Sequence, residues 1–306
     1  MEFVLKSLIY IIILLCVFIS IRFFTLIEEK ILCLFHICNG PCYVGVGGVL
    51  QPFSYALGLL SRIIIMSNKI NLMIFVFSPI FSLLLRVLMW VCIPFFNCSI
   101  IINKRFFFFL ILMGLRVFPI LITGWRSNNK YSRIGRLRGV AQVISYELCL
   151  RFFLLRMVFF LKRVRLKYFL LNLISLGILV ILPLFNLVFI TLLAERNRRP
   201  FDFAERPSEL VRGFMTEYRG TGFVILFMRE YLTIIFIGIL FVIFFLFTDY
   251  LLSGVIISLV CFAYIWVRGT VVRLRYDTLI DLNWKYFLLT FMYLYMYIVG
   301  ARIYFI

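Results

Sequence analysis

The chain has 306 residues, of which 64% are hydrophobic and 15% are charged, and its formal net charge is +19 at pH 7. Soluble globular domains average about 45–50% apolar and about 25% charged residues. The composition therefore excludes a soluble globular domain, a disordered chain and a disulfide scaffold. The mean hydropathy of +1.10 indicates instead an all-α, polytopic membrane protein, with residues 1–306 in a single integral membrane domain.

Long apolar stretches predict about eight membrane-spanning helices, each near the roughly 20 residues that a bilayer requires. We expect these helices at approximately residues 3–26, 72–96, 106–123, 137–161, 168–193, 223–247, 251–267 and 286–303. Between the first two lies a glycine-rich connection, followed by a shorter and more polar stretch from Leu50 to Ile65 that contains Pro52. Its length and polarity favour an amphipathic helix at the membrane interface.

The basic residues are divided unequally between the two ends of the predicted helices. With eight spans, the connections 1–2, 3–4, 5–6 and 7–8 share one face that has eighteen Lys and Arg residues, whereas the opposite face has eight. The positive-inside rule places the richer face in the cytoplasm or the mitochondrial matrix. Because the basic residues flank apolar runs, they favour lipid headgroups over nucleic acid as the anionic partner.

Cysteine and histidine give little indication of a metal site. Cys33, Cys38 and Cys42 lie close to His36, but their spacing matches no zinc or iron–sulfur pattern. We therefore expect no bound metal.

Acidic residues are scarce, and their placement is therefore informative. Five of the thirteen occur in the single connection after the fifth span, at Glu195, Asp202, Glu205, Glu209 and Glu217. Glu147 lies inside the fourth span, where an ionisable side chain is costly and is a functional candidate by default. Acids that are partnered by arginine or water are suited to a proton path.

Structural explanations of the same acids remain open. The connection could be a solvated ion-pair network in which each pair contributes little. Glu147 could form a static bridge to Arg151, one helical turn away. Two arginines inside spans, Arg116 and Arg151, are difficult to place in lipid, so we expect them to face other helices or a water-filled cavity.

The segment from Ala194 to Tyr218, AERNRRPFDFAERPSELVRGFMTEY, resembles the signature loop of the chain 1 family of NADH–ubiquinone oxidoreductases. Three further blocks also resemble the family, at residues 28–52, 124–147 and 266–288. The resemblance therefore extends in order over essentially the whole chain and includes the family's eight spans.

The resemblance implies a membrane subunit of respiratory complex I that couples quinone reduction to proton translocation. The subunit would form the membrane wall of a tunnel, with ubiquinone bound as a substrate at the interface with the peripheral arm. No cofactor is expected on this chain alone, because FMN and the iron–sulfur clusters would belong to partner subunits. The implied partners are the other membrane-arm subunits, the quinone-proximal peripheral-arm subunits and lipid, including cardiolipin, with no nucleic acid.

The resemblance also assigns roles to individual residues. The acids implied for proton coupling are Glu147, Glu195, Asp202, Glu205, Glu209 and Glu217. The residues implied for the quinone cavity and for docking of the peripheral arm are Lys130, Arg198, Phe214, Arg268, Arg273, Arg275 and Asp277.

The chain departs from the family pattern at two places. The quinone entrance lacks the usual polar and charged side chains at His36, Cys38, Tyr55, Gly58 and Ile63. The acidic connection has Pro207 in place of a glutamate and additional arginines at Arg199, Arg206 and Arg212. We therefore carry over the acids and the docking residues, but no entrance charge. Pairing with the added arginines would hold the remaining acids ionised.

The sequence leaves two other functions open. One is the equivalent subunit of a membrane-bound hydrogenase, and the other is a stand-alone proton- or ion-coupled transporter that uses the buried acids. The high phenylalanine content, 37 of 306 residues, indicates an AT-biased organellar gene, and no presequence is apparent. The expected location is the mitochondrial inner membrane, with a bacterial plasma membrane as the alternative.

Overall fold

The computed structural model describes residues 2–62, 72–93, 105–126, 129–161, 178–202, 215, 218–245 and 250–304. In these ranges all regular structure is helical, which confirms the predicted fold class. The helices are α1 Glu2–Phe35, α2 Gln51–Leu60, α3 Leu72–Cys92, α4 Arg105–Leu115, α5 Val117–Arg126, α6 Lys130–Leu161, α7 Ile178–Glu195, α8 Gly220–Phe245, α9 Tyr250–Thr270, α10 Tyr276–Asp281 and α11 Leu288–Tyr304. A short 3-10 turn, Val46–Gly48, precedes α2, and a π-helical segment, Leu282–Phe287, joins α10 to α11.

Within the described ranges, five helical segments are long and apolar enough to cross a membrane. They are Ser7–Phe35, Met73–Cys92, Phe106–Trp125, Gly220–Phe245 and Leu252–Thr270. The sequence predicts three more spans, and these correspond to α6, α7 and α11. The 32-residue α6 carries Glu147, Arg151 and Arg156 in its apolar half, whereas α7 and α11 have 18 and 17 residues. The beginning of the predicted fifth span lies outside the described residues.

The predicted interfacial stretch contains α2, which is shorter than expected. Helix α2 packs against α1 and α8. Its side chains Phe53, Leu57 and Leu60, which lie on one face of the helix, are nevertheless exposed, as is typical of a helix that meets lipid on one face.

Helix α8 is the centre of the bundle. It packs against α1, α2, α3, α7 and α9, and 16 of its 26 residues are buried. A helix that is apolar on every face is stable only when other helices, or lipid, surround it. By contrast, α1 and α9 leave most of their apolar surface exposed, so they form the outside of the bundle.

Pro79 interrupts the hydrogen bonding of α3 and creates a link to the start of α8. Proline has no N–H, so the carbonyl of Phe75, four residues earlier, loses its helical donor. The hydroxyls of Ser78 and Tyr218 donate to this carbonyl at 3.2 Å and 3.3 Å, and the Tyr218 ring stacks on Phe75 with centroids 4.1 Å apart. Burial raises the pKa of Tyr218 to about 12, so its hydroxyl remains a neutral donor.

Pro119 explains why α4 and α5 are separate helices. Its missing N–H would otherwise bond the carbonyl of Leu115, which is the last residue of α4. Arg116 is the single residue between the two helices. The sequence predicted one continuous span here, and the break places an arginine where the backbone turns into the bundle.

Two glycines between α1 and α2 adopt left-handed backbone conformations, with φ of +62° at Gly47 and +77° at Gly48. A Cβ atom on Gly48 would lie 2.1 Å from the carbonyl oxygen of Pro41, whereas one on Gly47 would meet nothing within 4 Å. The two positions therefore share a backbone requirement and differ in the space available.

Replacing Gly48 with alanine is expected to destabilise the protein by more than the roughly 1–2 kcal/mol that a left-handed conformation costs a residue with a side chain. Gly47→Ala has the same backbone cost without the contact and is the matched control. Thermal unfolding in detergent should give a lower midpoint temperature for Gly48→Ala than for Gly47→Ala. Equal midpoints would show that the carbonyl of Pro41 moves away without cost.

Candidate functional site

Glu147 is buried on α6 and contacts two arginines. Arg151, one turn along the helix, donates a hydrogen bond to its Oε1. Nε of Arg116 lies 3.9 Å from Oε2 of Glu147, and Nη1 of the same arginine donates to Oε1 of Glu195. Arg116 therefore joins the acid inside the membrane to the first acid of the connection after α7.

The two arginines of this group differ in exposure. The Arg116 side chain is 3% exposed, as expected for an arginine that faces other helices, whereas Arg151 is 39% exposed. Gly114 provides the space for Arg151, because a Cβ there would lie 2.6 Å from Nη2. The bridge between Glu147 and Arg151 is present, but Glu147 also has a second cation, so a simple pair within α6 is an incomplete description.

A cavity of about 320 Å³ lies beside the same pair. Its walls come from α4, α5 and α6 and are mostly apolar, at Gly114, Val117, Phe118, Leu121, Ile144, Glu147, Leu148 and Arg151. Phe118 and Ile144 are exposed, so part of the cavity wall lies at the surface of the bundle. The buried side chain of Glu147, which is 5% exposed, contributes to this wall.

A second ionic group lies at the beginning of α8. Nη2 of Arg198 is 3.1 Å from Oε2 of Glu230, and Nη2 of Arg229 is 3.8 Å from Oε1 of the same acid. The guanidinium of Arg198 also stacks over the ring of Tyr231, 4.9 Å from its centroid. Glu230 is therefore enclosed by positive charge.

A third group connects α1, α8 and α9. Glu28 is buried on α1, and the hydroxyl of Tyr231 donates to its Oε2 at 2.5 Å. Nη1 of Arg268 donates to Oε1 of the same carboxylate. Since Tyr231 follows Glu230 in the chain, the second and third groups adjoin each other.

The connection after α7 is fixed by neutral hydrogen bonds. Nε2 of Gln142 on α6 donates to the carbonyls of Ala194 and Phe201, both at 2.8 Å. These residues immediately precede Glu195 and Asp202. One amide group of α6 therefore positions the two predicted acids of this connection that are described.

Asp202 is buried and pairs with the segment that follows α9. Nη2 of Arg273 lies 3.1 Å from Oδ2 of Asp202, and the backbone N–H of Leu274 donates to the carbonyl of Pro200 at 3.3 Å. The side chain and the backbone thus make parallel contacts between the same two segments.

Two arginines of this region, Arg86 and Arg196, form no ion pair with an acid that the structure describes. Arg86 on α3 donates to the sulfur of Met89 at 3.7 Å and lies within electrostatic range of Arg116, Arg229, Glu147 and Glu230. The guanidinium of Arg196 stacks over Tyr264, 3.6 Å from the ring centroid. Burial lowers the pKa of Arg196 to about 10, which leaves it protonated at neutral pH.

The residues predicted for proton coupling fall into two sets. Glu147, Glu195 and Asp202 are buried and paired with arginine. The other three acids, Glu205, Glu209 and Glu217, lie outside the described residues, and so does Phe214.

The residues predicted for docking also divide. Arg198, Arg268 and Arg273 pair with acids of this chain. Arg275 and Asp277 pair with each other at 3.1 Å and are 79% and 70% exposed, and Lys130 is exposed at the start of α6. Among the docking residues that the structure describes, the members of this second set are the most exposed.

The entrance positions that lack the usual charges are exposed where the structure describes them. His36 and Cys38 follow α1, and Tyr55 and Gly58 lie on α2. Ile63 is outside the described residues.

Several members of the ionic groups were not predicted as site residues: the acids Glu28 and Glu230, the arginines Arg116, Arg151 and Arg229, and Tyr231. Glu28 and Glu230 are acids near the ends of apolar segments. The rule that identified Glu147, an acid in an apolar segment, would have found both if it had been applied up to the segment ends.

Comparison with known proteins identifies close similarity along almost the whole chain. A family model described as NADH dehydrogenase matches residues 8–299. The NADH–ubiquinone oxidoreductase chain 1 of Anopheles gambiae is 42% identical over 298 residues, which cover 95% of this chain and 94% of the relative. The protein of the same name from Locusta migratoria is 41% identical over 284 residues, covering 91% and 90%. That of Branchiostoma lanceolatum is 36% identical over 275 residues, covering 89% and 88%.

Proposed function

Since the chain belongs to the NADH dehydrogenase family, as a chain 1 subunit of NADH–ubiquinone oxidoreductase, we propose that its buried carboxylates conduct the protons that couple ubiquinone reduction to proton translocation. The chain is a membrane subunit of respiratory complex I and takes part in NADH:ubiquinone reduction within that complex. Among the functions that the sequence left open, the family membership favours neither the hydrogenase subunit nor the stand-alone transporter.

The observation that carries the proposal is a set of acids that are buried or nearly so, each in contact with arginine. Glu147, Glu195 and Glu28 are buried, and the Glu230 side chain is 11% exposed, in an apolar bundle where an isolated carboxylate would be neutralised. Arginine partners stabilise the charged form, and the low dielectric makes each acid sensitive to its neighbours. Acids whose charge depends on nearby groups are suited to accept and release protons in response to a reaction elsewhere.

We further infer that ubiquinone binds at the interface between this chain and the peripheral arm, and that the exposed charges Lys130, Arg275 and Asp277 contribute to docking of that arm. The FMN and iron–sulfur clusters then belong to partner subunits. The remaining acids of the predicted path, Glu205, Glu209 and Glu217, have the same proton-conducting function in this proposal. The basic residues of the connections on the richer face bind anionic lipid such as cardiolipin. The mitochondrial inner membrane is the proposed location, with the basic face toward the matrix.

Glu147→Gln is expected to lower NADH:ubiquinone reduction by the assembled complex by about tenfold, because the amide keeps the size of the side chain but cannot release a proton. Reduction of a water-soluble acceptor at the flavin should remain unchanged, since that reaction does not use the membrane arm. Asp281→Asn is the matched control, because Asp281 also pairs with a cation, Lys285 at 3.1 Å, but is exposed. Parent-level quinone reduction and proton translocation in Glu147→Gln would contradict the proposal.

A further inference from the structure

We propose that Arg116 is a positioning residue that is shared between Glu147 and Glu195, so that a proton enters Glu195 when the guanidinium moves toward Glu147. The inference rests on the proposed proton path and adds a specific gate to it. Arg116 itself binds no proton in this step. It decides whether Glu195 keeps its counter-charge, since Glu147 is also bonded by Arg151.

The geometry of Arg116 is unequal toward its two acids. Nη1 is hydrogen-bonded to Glu195, whereas Nε is 3.9 Å from Glu147, an ion-pair distance that is too long for a hydrogen bond. In the described part of the chain, Nε and Nη2 of this buried guanidinium have no hydrogen-bond partner. The side chain therefore has free donors facing the acid that it does not yet bond.

Its position in the fold allows such a movement. Arg116 is the single residue between α4 and α5, at the break that Pro119 introduces. A residue between two helices is less restrained by helical hydrogen bonds than one inside a helix. A shift of the guanidinium by about 1 Å converts the long contact with Glu147 into a hydrogen bond.

The two acids depend on Arg116 to different extents. Glu147 is also bonded by Arg151, so it keeps a cation when Arg116 moves away. Glu195 pairs, among the described residues, with Arg116, and its Oε2 has no hydrogen-bond partner there. Loss of Arg116 therefore leaves Glu195 as a buried carboxylate without a partner, and proton uptake is the cheapest way to neutralise it.

Other charged groups in the described part of the chain face Arg116, Glu147 and Glu195 from α3, α6 and α8. They are Arg86 on α3, Arg151 on α6, and Arg229 and Glu230 on α8. The nearby arginines oppose the arrival of additional positive charge. A proton from a hydronium ion, which is left as water, is consequently admitted to Glu195 only while the Arg116 guanidinium is directed elsewhere. The O–H bond of the donor breaks as the O–H bond on the carboxylate oxygen forms.

The test uses three variants of the assembled complex: Arg116→Gln, Arg116→Lys, and Arg116→Gln combined with Glu195→Gln. In Arg116→Gln the pKa of Glu195 is expected to rise by about one unit or more, the size of shift that an adjacent opposite charge produces. In pH-induced infrared difference spectra, the carbonyl band of a protonated carboxyl group should persist to correspondingly higher pH. The band should vanish in the double variant, which identifies it as that of Glu195.

Proton translocation gives the second measurement. We expect Arg116→Gln to move fewer protons per NADH than the parent and Arg116→Lys to restore at least half of the loss, because lysine keeps the charge but not the forked donor geometry. Arg156→Gln is the control for burial, because Arg156 is buried on α6 and has no ion pair among the described residues. It should reduce the yield of complex without changing the band or the proton stoichiometry.

The outcomes separate this inference from the proposed function. If Glu147→Gln is impaired while Arg116→Gln translocates protons and titrates like the parent, the proton path stands and the gate is refuted. If Arg116→Gln does not assemble, the double variant, which leaves neither charge of the pair buried, replaces it. Equal translocation in the double variant and in Glu195→Gln alone would then support the gate, because Arg116 would act only through Glu195, and a further loss in the double variant would refute it.

Discussion

Replacing Gln142 with leucine is expected to reduce ubiquinone reduction more than any single change of an acid in the connection after α7. The amide of Gln142 donates to the carbonyls of Ala194 and Phe201, both at 2.8 Å. Leucine is similar in size but removes the donor that the structure shows for the buried carbonyl of Phe201, at about 1–3 kcal/mol, and leaves the carbonyl of Ala194 with the more distant N–H of Asn197, at 3.3 Å. Because Ala194 and Phe201 precede Glu195 and Asp202, relaxation of the connection would displace both acids at once.

The measurement is NADH:ubiquinone reduction by the assembled complex, and we expect a loss of about thirtyfold or more, which corresponds to about 2 kcal/mol. Ser145→Ala is the control on the same helix, because the bond that the Ser145 hydroxyl makes among the described residues is to the carbonyl of Ala141, within α6, at 2.7 Å. It should remain within twofold of the parent. Comparable losses in the two variants would mean that the amide of Gln142 has no special role.

Arg268→Leu is expected to destabilise the membrane domain by about 3 kcal/mol, because it removes the cation of Glu28. Breaking a fully buried pair costs about 3–5 kcal/mol, and the 27% exposure of Arg268 places the expected value at the lower end. The hydroxyl of Tyr231 would remain as a donor to Glu28, but a neutral donor does not replace a charge. The midpoint of thermal unfolding of the complex in detergent measures the effect.

The double variant Glu28→Gln with Arg268→Leu should recover most of this stability, because it leaves no buried charge and retains an acceptor for Tyr231. Arg275→Leu is the control for an arginine that the sequence grouped with Arg268. Its exposed pair with Asp277 is worth about 0–1 kcal/mol, so it should weaken attachment of the peripheral arm and leave the unfolding midpoint unchanged. A double variant no more stable than Arg268→Leu would show that charge burial is not the cause.

The sequence predicted the helical class and the approximate spans because both follow from apolar run length. The predicted span at residues 106–123 lies within Phe106–Trp125, which is long and apolar enough to cross a membrane, but the sequence did not predict that Pro119 divides it into α4 and α5. Whether a proline bends or interrupts a helix depends on which groups take over the freed carbonyl. That is a property of the neighbouring helices and is absent from the local pattern.

The site was predictable in identity but not in pairing. Glu147 was found because a charge inside a span is costly, and this criterion needs no structure. Its contact with Arg116, and the bond from Arg116 to Glu195 across 79 residues of sequence, depend on how α5, α6 and α7 pack. The prediction that the added arginines pair with acids did not name the partners. In the structure, Glu230 is bonded by Arg198 and not by the added Arg199.

The interruption of α3 at Pro79 has a consequence for how the helix can move. A regular helix is held by hydrogen bonds between its own backbone groups, but at Pro79 one of these bonds is missing. The freed carbonyl, that of Phe75, instead accepts a hydrogen bond from Tyr218, in another part of the chain. The conformation of α3 at Pro79 thus depends on Tyr218, at the end of the acidic connection, as well as on α3 itself. A displacement of Tyr218 would therefore act on α3 at the position where the helical hydrogen bonding is interrupted.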